Sequence, residues 1–377
     1  MIFSEFNSFQ GFIFGNVNIK LALCFCLAFC ISFFLIPSIV TIAKAKSLFD
    51  EPNHRTSHIH KTPTLGGLAI FNGMAISLLI FFDFTEFPKF QYTVAGLLII
   101  FFTGFKDDII GISPFKKLVA QLIAVFITIV FGSNVISDLH GFLGIEEINY
   151  HIGIILTIVT IVGITNCFNL MDGIDGLAAS LGLLVATTFG TWFYLVGEYN
   201  WAIMSAALVG ALLAFFYFNV FGRRNKIFMG DTGALLLGFI MAVMAIRFNE
   251  LNITIQGPWA IHAAPAVSIG IMMVPIYDTV RVFLTRILKN RYPFSPDKTH
   301  IHHYLLQLGL SHFQSTMVLF FASMCFIFIS WYLRTLSVAW LLLVLFIVAT
   351  ILSLIPILLV EKRTYKKDKH LHENSKR

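Results

Sequence analysis

Runs of apolar residues follow one another down almost the whole chain, near 19–43, 65–82, 91–105, 117–137, 152–168, 176–196, 201–221, 233–248, 262–288, 315–333 and 337–360, with polar stretches between them. A helix of about 20 apolar residues is long enough to cross the hydrocarbon core of a bilayer. The pattern therefore predicts an all-α polytopic membrane protein with about eleven transmembrane helices. An odd number places the two termini on opposite sides. If the loops after the first, third, fifth, seventh and ninth runs share a side with the C-terminal tail, that side holds all but four of the 26 Lys and Arg, the exceptions being Lys20, Lys89, Arg247 and Arg334. The basic side is the cytoplasmic one by the positive-inside rule, so the N-terminus is expected outside and the C-terminus inside.

Composition agrees with this pattern and narrows it. The chain is 57% hydrophobic and only 12% charged, with 41 Phe among its 377 residues and a mean hydropathy of +0.83, whereas soluble domains carry about 25% charged residues. Most soluble folds are excluded. Cys24, Cys26, Cys30, Cys167 and Cys325 all lie in apolar surroundings without a CxxC pair, and read as small core residues rather than disulfides or metal ligands. The N-terminus has neither a basic n-region nor a small-residue cleavage site, so the first helix is expected to be retained. Residues 1–361 read as one transmembrane catalytic domain with its active-site candidates in cytoplasmic loops. Residues 362–377 form a basic cytoplasmic tail suited to fixing topology and meeting anionic lipids.

Sorting the loops by side gathers the acids and imidazoles on the cytoplasmic face. NCFNLMDGIDGLAAS, residues 166–180, sets Asp172 and Asp175 among glycines between two apolar runs. A carboxylate at bilayer depth costs about 2.5–3.5 kcal/mol on insertion scales, so acids there are functional candidates. Gly173 and Gly176 indicate a bend, a loop or close backbone approach by a ligand. Asn169, Asp172 and Asp175 are spaced i, i+3, i+6, which brings neighbours to one side if the segment is helical. They offer acceptors for sugar or ribose hydroxyls, or oxygen ligands for Mg²⁺. Helix N-caps would account for the same acids.

Asp107 and Asp108 end the third run in GFKDDIIGI, followed by Gly111, Pro114, Lys116 and Lys117. Adjacent carboxylates repel, so either a cation holds one ionised or its pKa rises and it becomes a candidate base; an ordinary solvated helix end is the plainer alternative. In FMGDTGALLLG, Asp231 stands just before the next run with Gly230 and Gly233 around it. It reads as an N-cap, or as part of a helix start that can accept an anion and a metal. His300, His302 and His303 lie near Arg291 and Lys298 in the last large loop. They lack the partners of a zinc site and better suit a pyrophosphate. The first loop adds His54, Arg55, His58, His60 and Lys61, as a topology anchor or a phosphate binder.

Taken together, DEPNHRTSH, the DD pair, NCFNLMDGIDGLAA, FMGDTGA and above all PFSPDKTHIHH resemble the polyprenyl-phosphate N-acetylhexosamine-1-phosphate transferases, in the WecA-like branch of the WecA/MraY superfamily, glycosyltransferase family 4. The resemblance spans nearly the whole chain. It implies that undecaprenyl phosphate attacks the β-phosphorus of a UDP-N-acetylhexosamine, most simply UDP-GlcNAc, releasing UMP in the first membrane step of cell-surface polysaccharide synthesis. Mg²⁺ is the implied cofactor, with Mn²⁺ as a substitute. By the same likeness Asp231 is a metal ligand, with Asp172 a second candidate. Asp107 is the base or lipid-phosphate contact, while Asp108 is expected to hold Lys106, Lys116 or Lys117. Asp172, Asp175 and Asn169 serve the nucleotide-sugar site, and His300, His302 and His303 contact phosphates or sugar, to which the charge of the first loop adds Arg55 and Lys61 as candidate substrate contacts. The implied setting is the bacterial inner membrane, with the active site cytoplasmic, no nucleic-acid partner, and homodimerisation left open. One departure is Gly111, which stands where many WecA-like members carry a third aspartate.

Two other readings compete. A secondary transporter would also place acids in the membrane, but here the acids gather at one surface and no matching pair of interrupted helices marks two halves. A UDP-N-acetylmuramoyl-pentapeptide transferase would keep the chemistry, yet HIHH after PFSPDK resembles the WecA-like loop instead. Which hexosamine is used depends on hydroxyl contacts that spacing does not reveal.

Overall fold

The computed structural model describes residues 15–46, 48, 62–292 and 299–374. Arg55 and Lys61, with His54, His58, His60 and Lys298, lie outside the described residues.

Each predicted apolar run becomes helix. The helices are α1 (Val17–Ala45), α2 (Gly66–Phe81), α3 (Phe90–Ile110), α4 (Pro114–Val130), α5 (Tyr150–Met171), α6 (Leu177–Leu195), α7 (Tyr199–Phe221), α8 (Gly230–Leu251), α9 (Ala264–Ile271), α10 (Met273–Leu288), α11 (Ile301–Gln307), α12 (His312–Tyr332) and α13 (Val338–Asn374). Their starts carry the expected signals. Asn16 accepts from the N–H groups of Asn18 and Ile19, Pro114 opens α4, and Ser311 and Gln314 form a capping box.

Three features depart from the apolar pattern. The run expected at 262–288 is not one helix: α9 and α10 meet at Met272 with a bend of 84°. The N–H of Met272 turns back to Ser268 and Ile269, and Pro275 has no N–H with which to continue the ladder across the junction. A two-stranded antiparallel hairpin, β1 (Asp138–Phe142) and β2 (Ile145–Glu147), occupies the polar stretch before α5. Finally, α13 runs unbroken past position 361, where the composition turns basic, because Lys, Arg and Glu are good helix formers. Among the described residues seven helices are long and apolar enough to span a membrane, or eight if the bent pair counts as one. The remaining runs form helices that are short, like the 16-residue α2, or that end in charge, like α3.

The core is built around α8, which is buried along nearly its whole length from Thr232 to Phe248. Small residues let neighbours approach it closely. A β-carbon on Gly67 would lie 2.1 Å from the Gly233 nitrogen, and one on Gly104 would lie 2.5 Å from Thr232 Cα. Both contacts fall at the first turn of α8. Backbone bonds from Gly66 and Gly67 to the Phe228 and Met229 carbonyls, and from Phe228 to Pro63, lock the approach to that turn against the start of α2. Because chain direction alternates, the ends of α3 and α5 and the starts of α4, α6, α8 and α12 meet at one end of the bundle. The hairpin lies at the other, where Glu250 of α8 accepts from Ser137.

Candidate active site

The first turn of α8 is held from outside its own sequence. The Asp108 carboxylate accepts from the Asp231 N–H at 2.7 Å, the Thr232 N–H at 3.0 Å and the Thr232 hydroxyl. Orphan N–H groups at a helix start need such an acceptor, and an anion there also complements the helix dipole. Asp231, expected as an N-cap, therefore lies inside the first turn, and Asp108 caps in its place. Gly230 takes a positive φ of 70°, and a β-carbon there would lie 2.6 Å from Asp108 Oδ2, so only glycine admits this approach.

With its carboxylate oxygens taken up, Asp108 does not pair with Lys106, Lys116 or Lys117 as the sequence suggested. The ion pair belongs to its neighbour. Lys117 Nζ lies 3.2 Å from Asp107 Oδ2 and 2.7 Å from Asp231 Oδ1, bridging the end of α3 to the start of α8. The Asn169 amide donates to that same Asp231 oxygen from the last turn of α5. Asp107 Oδ1 accepts from the Ile112 N–H at 2.7 Å, which closes the turn after α3. Gly111 sits in that turn with φ of 64°. A side chain there would be strained, which is a physical reason for glycine at this position.

The expectation of one helical face for Asn169, Asp172 and Asp175 holds only in part. α5 ends at Met171, and the turn through Gly173 and Gly176, with Gly176 at φ of 78°, swings Asp175 away. Asp175 meets Lys226 at 2.6 Å and His312 at 3.3 Å, and its carbonyl accepts from Thr316. Burial works against the Asp175 charge, but hydrogen bonds from His312 and Lys226 and their charges hold its carboxyl below the usual range. Asp172 stays with the central group. Enclosure, then the charges of Asp231, Asp108 and Asp175, push it up to about 8.

The histidines divide. His300 Nδ1 lies 2.9 Å from Asp278 Oδ2, so this ring is tied to α10. Asp278 also accepts from Arg281 at 2.7 Å and from the Ile301 N–H, and thereby fixes the start of α11. His302 is 1% exposed, and neither ring nitrogen has a partner among the described residues. Its Nε2 would lie 2.5 Å from a β-carbon on Gly173. Burial, then the neighbouring His303, pulls its pKa down to about 3. His303 packs on it with ring centroids 4.2 Å apart.

Sequence reading missed Asp278, Lys226, His312 and an amide pair, Gln121 with Asn166. Asp278 had a signal: it is a lone acid inside an apolar run, PIYDTVRV. The other three have partners distant in sequence and no local signature.

The donor set suits a hard divalent cation. Among the described residues no three acidic, His or Cys side chains already converge at ligand spacing. Mg²⁺ does not require that, since one or two carboxylates with water and substrate phosphates are its usual shell. The Lys117 ammonium already sits between two carboxylates, those of Asp107 and Asp231. Beside this charged centre lies bare apolar surface: Ile110 and Phe115, in the segment joining Asp107 to Lys117, are 67% and 73% exposed.

Fold and site together define a helical multi-pass membrane protein with an acidic, cation-bridged centre at one end of its bundle. The family model described as Glycosyl transferase family 4 matches residues 90–249. The chain is 32% identical over 312 residues to the "Probable undecaprenyl-phosphate N-acetylglucosaminyl 1-phosphate transferase" of Bacillus subtilis, covering 82% of this chain and 83% of that one. It is 30% identical to the "Undecaprenyl-phosphate alpha-N-acetylglucosaminyl 1-phosphate transferase" of Escherichia coli K12 over 75% of each chain. With the "Decaprenyl-phosphate N-acetylglucosaminephosphotransferase" of Mycolicibacterium smegmatis it shares 32% identity over 71% of each. The chain belongs to glycosyl transferase family 4.

Proposed function

We propose that the protein transfers N-acetylglucosamine-1-phosphate from UDP-GlcNAc to undecaprenyl phosphate at the cytoplasmic face of the bacterial inner membrane. The observation that carries the reading is the Asp107–Lys117–Asp231 bridge set beside exposed Ile110 and Phe115. A charged donor and a lipid acceptor must meet at such a junction. The names of the relatives support the choice of hexosamine and of lipid, and the segregation of basic residues supports the cytoplasmic placement.

In the reaction an oxygen of the lipid phosphate bonds to the β-phosphorus of the donor, the bond from that phosphorus to the bridging oxygen breaks, and UMP leaves with the electron pair. Phosphoryl transfer depends on positioning and charge neutralisation more than on covalent help. Asp107 and Asp231, with Asp172 beside them, would hold Mg²⁺ or Mn²⁺. When bound, such an ion supplies Lewis-acid neutralisation of charge on the phosphates. Asn169 orients the Asp231 carboxylate, and Asp108 fixes the helix start that carries it. His302, whose ring nitrogens have no partner among the described residues, would meet the phosphates or the sugar. A phosphate monoester has its second pKa near ~6 and is largely dianionic at neutral pH, so Asp107 positions the acceptor rather than removing a proton.

Membranes containing the protein, incubated with undecaprenyl phosphate and a panel of UDP-hexosamines, should release UMP with UDP-GlcNAc in strict dependence on the lipid phosphate. UMP release without the lipid, or transfer only from UDP-N-acetylmuramoyl-pentapeptide, would refute the assignment.

A further inference from the structure

We infer that Lys117 is an internal counter-ion that occupies the metal's place between Asp107 and Asp231 and is expelled when the metal arrives, freeing its ammonium for the donor's phosphates. This rests on the divalent-ion reading of the site given above.

The charge inventory leads to it. Asp108 is engaged by the start of α8, and Asp107 Oδ1 by the Ile112 N–H, which leaves Asp107 Oδ2 and Asp231, with Asp172 beside them, to a cation that bridges α3 and α8. Lys117 Nζ lies within 3.2 Å of both. An ammonium and a divalent cation cannot share two carboxylates at such range, because the like charges would sit a few ångströms apart in a partly buried site. Lysine is suited to leaving: it is a compact charge on a flexible four-carbon stem, with three donors that re-form on phosphate as readily as on carboxylate. Asn169 donates to the same Asp231 oxygen and must let go as well. A rotation of its amide would then offer oxygen in place of nitrogen.

The backbone need not move for this exchange. One turn deeper in the bundle, after Lys117 on α4 and before Asn169 on α5, Gln121 and Asn166 exchange amide hydrogen bonds and hold the two helices in register. The swap is confined to two side chains. Without metal the lysine neutralises the carboxylates. With metal it becomes the extra cation that a pyrophosphate needs.

Binding of Mn²⁺ to the purified, substrate-free full chain, followed by electron paramagnetic resonance, tests this apart from turnover. Lys117→Met, which keeps the length and removes the competing charge, should bind Mn²⁺ at least about tenfold more tightly than the wild type. Lys117→Arg should not. In the wild type itself, acylation of Lys117 by an amine-directed reagent, read by peptide mass spectrometry, should rise on adding Mg²⁺ but not on adding the same ionic strength of potassium chloride. Equal or weaker Mn²⁺ binding by Lys117→Met, no Mn²⁺ binding by either protein, or acylation indifferent to Mg²⁺ would overturn the inference. Lysine release without transfer from any UDP-hexosamine would instead discard the proposed reaction and leave the exchange standing.

Discussion

Gln121 and Asn166 face each other as paired amides inside the bundle, with Asn166 Nδ2 3.0 Å from Gln121 Oε1 and the return contact at 3.4 Å. Gln121 is four residues after Lys117 on α4, and Asn166 three before Asn169 on α5, so the pair underlies the two side chains that converge on Asp231. Gln121→Leu strips the half-buried Asn166 amide of its partner across the helices, leaving it the Val162 carbonyl of its own helix, and should cost about 1 kcal/mol of stability. Replacing both amides by Leu should recover much of it, since removing both partners is far cheaper than removing one. Thermal unfolding in detergent reads the cycle. Additive losses would show that the amides do not act as a pair.

Asp108 and Asp231 touch the same turn in different roles, and their amide variants should separate. Asp231→Asn keeps shape but loses the charge a hard cation prefers, so turnover should vanish at ordinary Mg²⁺ and return in part at excess. Asp108→Asn weakens the cap on α8 and should lower stability by about 1–2 kcal/mol while Mn²⁺ still binds. Full activity of Asp231→Asn at ordinary Mg²⁺ would remove that residue from the metal site.

His302 makes stability depend on pH in a stated direction. Its folded pKa of about 3 lies below the ordinary 6.5, so as pH falls below 6.5 the unfolded chain takes up a proton that the folded ring refuses. Stability should therefore drop with falling pH between 6.5 and 3, with a slope from this group approaching ~1.4 kcal/mol per pH unit. His302→Gln should flatten the melting-temperature profile over that window. An unchanged profile would mean that the ring is not held neutral.

Orientation is open to direct labelling. A cysteine at Ser113, in the turn between α3 and α4, should resist an impermeant thiol reagent in intact cells, while one at Leu143, 75% exposed at the hairpin tip, should react. The reverse pattern would invert the topology.

Much of the fold was legible because a bilayer asks one simple thing of a sequence, an unbroken apolar run. Each run from 19–43 to 337–360 became helix, and the acids around Asp107, Asp172 and Asp231 stood out against that background. The bend at Met272 was not legible, since a kinked helix and a straight one share the same hydropathy. Nor were the roles within the DD pair: Asp107 and Asp108 are neighbours in sequence, yet they face different partners, Lys117 in one case and the start of α8 in the other.

The sequence by itself determined the class of protein and that its acids and imidazoles stand at the ends of apolar runs, because transfer of apolar side chains and of charge into lipid is a local cost counted residue by residue. Only the tertiary structure decided who pairs with whom. Lys117 with Asp231, Lys226 with Asp175 and His300 with Asp278 join positions 114, 51 and 22 residues apart. Such contacts depend on the close glycine crossings at Gly67 and Gly104 that set α2 and α3 against α8, and on the turn at Gly176 that parts Asp175 from Asp172. Hydropathy carries no record of either, because direction and distance between helices arise only when their surfaces are packed.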